Sequence, residues 1–144
     1  MLYMIDKLRQ KLQDTGYSLT KPRLTVFGAL QSPVPRSMRQ LVVSLEGIVD
    51  RASIYRTVAL FEELGIVVRV QQGWKYKLEL SDDFTPHHHH LSCTNCQRII
   101  SFKEPLELVT ILNEMAATHG FVLSGHSLEI QGLCPECQLL TARD

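Results

Sequence analysis

Two CxxC pairs, Cys93-Thr94-Asn95-Cys96 and Cys134-Pro135-Glu136-Cys137, use all four cysteines of this chain and constrain its fold more than any other feature. A CxxC turn aims two thiolates at one point. Two such turns complete the closed tetrahedral shell of a structural zinc site, with no position left for water. The 37 residues between Cys96 and Cys134 exceed the spacer of a compact zinc ribbon, about 15 to 20. The pairs are therefore expected to pin the ends of an intervening subdomain, so that metal binding becomes folding free energy. Two disulfides or a redox dithiol are the alternatives. The N-terminal stretch carries a charge every few residues, and no apolar run is long enough to span a membrane. A soluble, cytoplasmic protein is expected, and in a reducing compartment the pairs read as metal ligands.

The formal net charge of zero hides a division. Residues 1–80 hold 12 Lys and Arg against 7 Asp and Glu, whereas residues 81–144 hold 3 against 8 and all six histidines. With 144 residues, 44% of them apolar, the chain can bury a core as one domain or two small ones. The charge pattern suggests a polyanion-binding module joined to a metal-binding one.

Periodicity supports that division. Leu8 and Leu12 have helical spacing before Gly16, and Thr20-Lys21-Pro22-Arg23 caps a second helix with Leu24, Val26, Phe27 and Leu30 on its buried face. Ser37 caps a third helix, burying Met38, Leu41, Val42 and Leu45. A fourth helix runs from about Asp50 to Leu64, burying Ile54, Val58, Leu60, Phe61 and Leu64, and Gly65 closes it. The period then changes to two: residues 66–70 are β-branched, 71–73 read as a turn, and Trp74, Tyr76, Leu78 and Leu80 alternate with Lys75, Lys77 and Glu79. Short helices followed by a hairpin describe a winged helix-turn-helix. Its recognition helix would offer DNA Arg51, Ser53, Tyr55 and Arg56, residue types that bind phosphate oxygens, with Arg also able to fork to guanine.

The polar stretch 81–86 separates the modules, giving a DNA-binding domain over 1–80, a hinge over 81–86 and a metal-binding domain over 87–144. In the last, strands are expected at 91–93, 98–102, 121–123 and 128–130. An amphipathic helix over 105–119 would turn Leu108, Ile111, Leu112 and Met115 inward. Residues 87–90 are four consecutive histidines. On an extended strand His88 and His90 share one face, with His87 and His89 on the other, so one tract can feed two metal sites. Imidazole by itself does not select among zinc, iron, nickel and copper.

Taken together, Thr20-Lys21-Pro22-Arg23, Ser53-Ile54-Tyr55-Arg56-Thr57, Leu64-Gly65-Ile66-Val67, the histidine tract leading into Cys93, Gly125-His126-Ser127 and Gly132-Leu133-Cys134 resemble the ferric uptake regulator family of metal-sensing repressors. The resemblance spans about residues 17 to 138. It implies an α+β protein with an N-terminal winged helix-turn-helix and a C-terminal α/β dimerisation domain, acting as a homodimer on double-stranded operator DNA. It also implies structural Zn2+ on Cys93, Cys96, Cys134 and Cys137, and regulatory Fe2+ or Zn2+ on Glu79, His88 and His90. A second site would take His87, His89, His126 and an acidic residue of the 105–119 helix, for which Glu107 is the choice. This chain departs from the family pattern in having Pro35-Arg36 where a histidine usually stands, and no histidine before residue 87. It also reads Ile100-Ser101-Phe102 where an acidic residue is common.

The function expected is a metal-responsive transcriptional repressor of metal-homeostasis genes. A zinc-storage or metallochaperone protein would use the histidine tract but would not need the basic half. An enzyme is disfavoured: the four-thiolate set is closed, HExxH is absent, and both CxxC pairs are expected to run into strand or tail rather than open a helix. No membrane partner and no small-molecule substrate is expected.

Overall fold

Three capping residues set the helical phase of the first half. In the computed structural model, which describes residues 2–72 and 74–141, α1 spans Leu2–Asp14, α2 Lys21–Leu30, α3 Met38–Ser44 and α4 Arg51–Glu63. Thr20 caps α2, with Pro22 in the first turn, where no backbone N–H is needed. Ser37 and Gln40 form a reciprocal capping box on α3. Asp50 Oδ1 accepts from Ser53 N at 2.9 Å to open α4. Hydrogen bonds from the Ser53 side chain and backbone hold the Asp50 carboxyl below its ordinary pKa.

Leu8, Leu12, Val26, Phe27, Leu30, Leu41, Ile54, Val58 and Phe61 meet in one core, each at most 4% exposed. Their three- and four-residue spacing supplies one apolar stripe per helix. Leu24, expected on that stripe of α2, is instead partly exposed. Gly65, at φ +64°, turns the chain out of α4 in a conformation that side chains resist. Strands β1 (Val67–Gln72) and β2 (Lys75–Leu80) then pair antiparallel from Val67↔Leu80 to Gln72↔Lys75. Gln71 and Gln72, expected in the turn, therefore belong to β1, while Gly73 lies outside the described residues. Leu78 and Arg36 exchange two backbone hydrogen bonds of 2.7 and 2.9 Å, tying the hairpin to the α2–α3 connection. Helices α2 to α4 with this hairpin form a winged helix.

The chain divides into two compact units, residues 1–86 and 87–144. The stretch 81–86, expected as a hinge between modules, is built into the first unit. Phe84 is 6% exposed and packs edge-on against Phe27, ring centroids 5.3 Å apart. Lys7 Nζ donates to the Asp83 carbonyl and Lys11 Nζ to Asp83 Oδ2, both at 2.6 Å. An aromatic inside a polar stretch has found the core, and two lysines one helical turn apart hold its neighbour. The Lys11 hydrogen bond and charge lower the Asp83 pKa below the usual 3.8. Asp83→Asn is expected to cost no more than about 0.5 kcal/mol, since the carboxylate is half exposed and each lysine about a third, and water screens the pairs. That contribution is full above the ordinary carboxylate pKa and disappears as pH falls through the depressed folded value. Paired thermal melts of wild type and variant from neutral to acid pH check it.

In the second unit, β3 (His89–Cys93), β4 (Ile99–Phe102), α5 (Leu106–Thr118), β5 (Glu129–Gly132) and α6 (Pro135–Thr141) follow in order. The sheet order is β4-β3-β5, with β3 antiparallel to β4 and parallel to β5. The strand expected at 121–123 does not form: Phe121 and Val122 are exposed and pair with no strand. None of the α5 residues is buried, and Ile111 and Met115, expected inward, are exposed. Leu91 and Ile100, partners across β3 and β4, are exposed as well. The fold is α+β.

Candidate metal centres and nucleic-acid interface

Parallel pairing of β3 with β5 explains how cysteines with 37 residues between them come together. Cys93 lies opposite Gly132, so both strands release the chain at the same end, Cys93 opening one CxxC pair and Cys134 following two residues after Gly132. The four sulfurs all lie within 4.8 Å of one another, with Cys96 Sγ and Cys134 Sγ 3.7 Å apart. All four are free thiols, so the disulfide alternative is not formed. Cys134 N donates to Cys93 Sγ at 3.3 Å, and that bond, with the Cys96 amide, lowers the Cys93 pKa to about 6. At Cys137 a hydrogen bond from Asn95 pulls the other way, but burial and the neighbouring thiols outweigh it and push the pKa up to about 12. Sulfurs this close cannot all be anionic unaided, and a soft divalent cation relieves that repulsion. The donor set fits tetrahedral zinc. One expectation is corrected: α6 starts at Pro135, so the second CxxC pair does open a helix. Convergence of all four sulfurs, rather than a strand context, sets these pairs apart from a lone redox dithiol.

A second cluster occupies the other end of the same sheet. From Cys93 back to His89 is four strand steps, about 13 Å. His89 pairs with Phe102 in β4, His90 with Glu129 in β5, and His126 stands just before β5. His89 Nε2 and His126 Nε2 are 3.2 Å apart and lie 3.2 and 2.5 Å from Glu104 Oε1. The His87 ring stacks edge-on against His89 and His126 at 4.8 and 5.1 Å. Ligand atoms of His87, His89, Glu104 and His126 all lie within 4.8 Å of one another. Burial disfavours the Glu104 carboxylate, but the His89 hydrogen bond and the charge of His126 and His89 bring its pKa below the ordinary range. Three imidazoles and a carboxylate are a hard-to-borderline donor set that suits a first-row divalent metal.

Glu104 replaces Glu107, the acidic residue expected from the helix. Glu107 is exposed in the first turn of α5. The register His89↔Phe102 carries the chain past His89 two residues before Glu104, ahead of the helix. Only His89 and His90 lie in β3, yet the tract is sorted by alternate residues as expected: the His88 and His90 rings meet edge-on at 4.9 Å, and those of His87 and His89 at 4.8 Å. Glu79 is half-buried on β2, opposite Val68.

On α4, Arg51, Tyr55 and Arg56 are exposed, whereas Ile54, Val58 and Phe61 are buried in the core. Arg51 lies over the Tyr55 ring at 5.7 Å, and Arg56 Nη2 donates to Ser53 Oγ at 3.2 Å. Thr20, Pro22 and Arg23 of the second helix join Ser53, Arg56 and Thr57 around a recess of about 250 Å³. Thr20 and Arg23 were not assigned to this surface from sequence, although Thr20-Lys21-Pro22-Arg23 stood out there. No described helix is long and apolar enough to cross a membrane.

The chain matches the profile described as "Ferric uptake regulator family" over residues 14–131. It is 33% identical over 134 residues to the ferric uptake regulation protein of Vibrio parahaemolyticus, covering 88% of this chain and 87% of that one. The crystal structure of the Vibrio cholerae ferric uptake regulator superposes with a TM-score of 0.70 at 33% identity, covering 88% and 98%. The Helicobacter pylori regulator shares the fold at 0.80 and 23% identity, over 94% and 92%. A winged helix, a sheet with a ligand cluster at each end, and a match over most of the chain make it a member of the ferric uptake regulator family.

Proposed function

We propose that this protein is a metal-responsive transcriptional repressor that binds operator DNA as a homodimer in the cytoplasm and controls genes of iron or zinc homeostasis. The observation that carries this is the presence, in one chain, of a helix with Arg51 and Arg56 exposed in its first two turns and two convergent ligand clusters at opposite ends of one sheet. Cys93, Cys96, Cys134 and Cys137 would hold structural Zn2+, which ties the ends of β3 and β5 together. Glu79, His88 and His90 would hold the regulatory Fe2+ or Zn2+, with His87, His89, Glu104 and His126 forming the second site. A bound divalent ion supplies the charge that draws these donors together. No histidine stands before residue 87, so any ligand from the first unit must come from a carboxylate such as Glu79.

The homodimer is supported by the apolar residues that one protomer leaves exposed on α5 and the sheet, among them Ile100, Ile111 and Met115. Differential metal affinity for two arrangements of the winged helices, typically worth about 1–3 kcal/mol, is enough to couple metal to DNA. A closed four-thiolate site argues for regulation rather than catalysis, and the winged helix argues against storage alone.

Metal titration of DNA binding by the purified dimer tests this reading, with duplexes recovered from a random-sequence pool. Affinity should rise with Fe2+ or Zn2+. Arg56→Ala should weaken binding by about 1–3 kcal/mol and Tyr55→Phe by less, with metal content and dimerisation intact. Binding should also fall steeply with salt as counterions are released. Salt-insensitive binding, or wild-type affinity in Arg56→Ala, would remove α4 from the interface.

A further inference from the structure

His90 stands in the middle strand of the β4-β3-β5 sheet, with Ser101 of β4 on one side and Glu129 of β5 on the other. Residues side by side in a sheet turn their side chains to the same face, and neighbouring strands lie about 4.8 Å apart. The face that carries His90 therefore carries Glu129 next to it. Ser101, on the other side, offers only a neutral hydroxyl.

Nothing in the fold accounts for Glu129. Glutamate is depleted in strands. This one is exposed, and among the described residues its carboxylate has neither a hydrogen bond nor an ion pair. The other described carboxylates of the second unit are placed elsewhere. Glu104 meets His89 and His126, Glu136 pairs with Arg98, and Glu107 and Glu114 lie on α5. Glu129 is the one acidic residue in a described strand of this sheet. The chain leading through β5 thus serves both ligand pairs in turn, His126 joining His89 and Glu129 standing beside His90.

His90 itself is only 7% exposed, so a hydrated divalent ion must shed water before it reaches the ring. The ligand atoms of His88 and His90 come within 4.8 Å of each other, and Glu129 is not part of that group. Resting on the regulatory site proposed above, we propose that Glu129 is the entry ligand of that site: its carboxylate takes the incoming ion from water, hands it to His90 and returns to solvent. An exposed anionic oxygen suits this task. It attracts a hydrated divalent ion by charge, whereas a buried neutral imidazole exerts no such pull. The same route read backwards is the exit, so Glu129 governs exchange and not the final affinity.

Stopped-flow binding of Co2+ to the full-length dimer, with the four-thiolate zinc in place, tests this. His126→Ala serves as the background, so that the second cluster does not compete for the probe. There Glu129→Gln, which keeps the side chain's size and removes its charge, should slow both association and release about tenfold, with the dissociation constant unchanged. Glu114→Gln makes the same charge change on α5 and should leave both rates as they are. Wild-type rates in Glu129→Gln, or an equal slowing in Glu114→Gln, overturns the proposal. Weaker binding with faster release would make Glu129 a resident ligand, and dissociation of the dimer would make it a contact between copies; either overturns it. If His90→Ala leaves Co2+ binding as it is, the regulatory-site reading fails first and this one with it.

Discussion

Cys96→Ser is expected to lose stoichiometric zinc and, with it, a normal melting transition and the dimer. Cys96 Sγ is one of four sulfurs within 4.8 Å, and the other ligand cluster lies at the far end of the sheet, so no described side chain can complete the shell. Structural zinc sites in small finger peptides supply about 10–16 kcal/mol of binding free energy, comparable with the whole stability of a domain. The consequence should be largest in the second unit, where β5 has no buried residue and α5 contributes none to a core. Elemental analysis with paired melts and sedimentation reads the outcome. Full zinc content with an unshifted melt would show that the four thiols are not the structural centre.

Removing either His88 or His90 should abolish the metal-stimulated part of DNA affinity, a change of about 5- to 150-fold, while the four-thiolate zinc stays in place. Glu79→Ala should do the same less completely if water or Asp82 substitutes. Metal at this site should exchange faster than at a four- or five-ligand site. The second cluster supplies the counter-arm. Glu104→Ala and His126→Ala should lower metal content there, and Glu107→Ala should not, because Glu104 rather than Glu107 meets His89 and His126. If His88→Ala and His90→Ala keep full metal response and His126→Ala loses it, the second cluster is the sensor.

These two experiments bear on features of unequal legibility. The cysteine pairs were readable because CxxC geometry is local, and each pair declares its chemistry within four residues. Helix starts at Thr20, Ser37 and Asp50 were readable for the same reason, since a cap is a bond between near neighbours. The sorting of His87 and His89 from His88 and His90 followed from strand alternation.

Other features depended on partners far along the chain. Glu104 joins the histidines because β4 pairs with β3 in one register; a one-residue slip would point every β4 side chain to the opposite face of the sheet. Phe84 was taken for hinge because its neighbours are polar, yet contact with Phe27, 57 positions earlier, draws it into the core. Phe121 and Val122 have β-forming side chains but no strand beside them, and propensity without a partner makes no strand. The apolar period of α5 marked a helix correctly but could not say where its apolar side would face; in the protomer Ile111 and Met115 are exposed and Leu108 and Leu112 only half-buried. Sequence alone thus settled the local chemistry, the cap, turn and thiol pair, because their energies arise within a turn of chain. Long-range pairing decided which carboxylate joins which imidazoles and where the linker is anchored, because those energies exist only once distant segments have met.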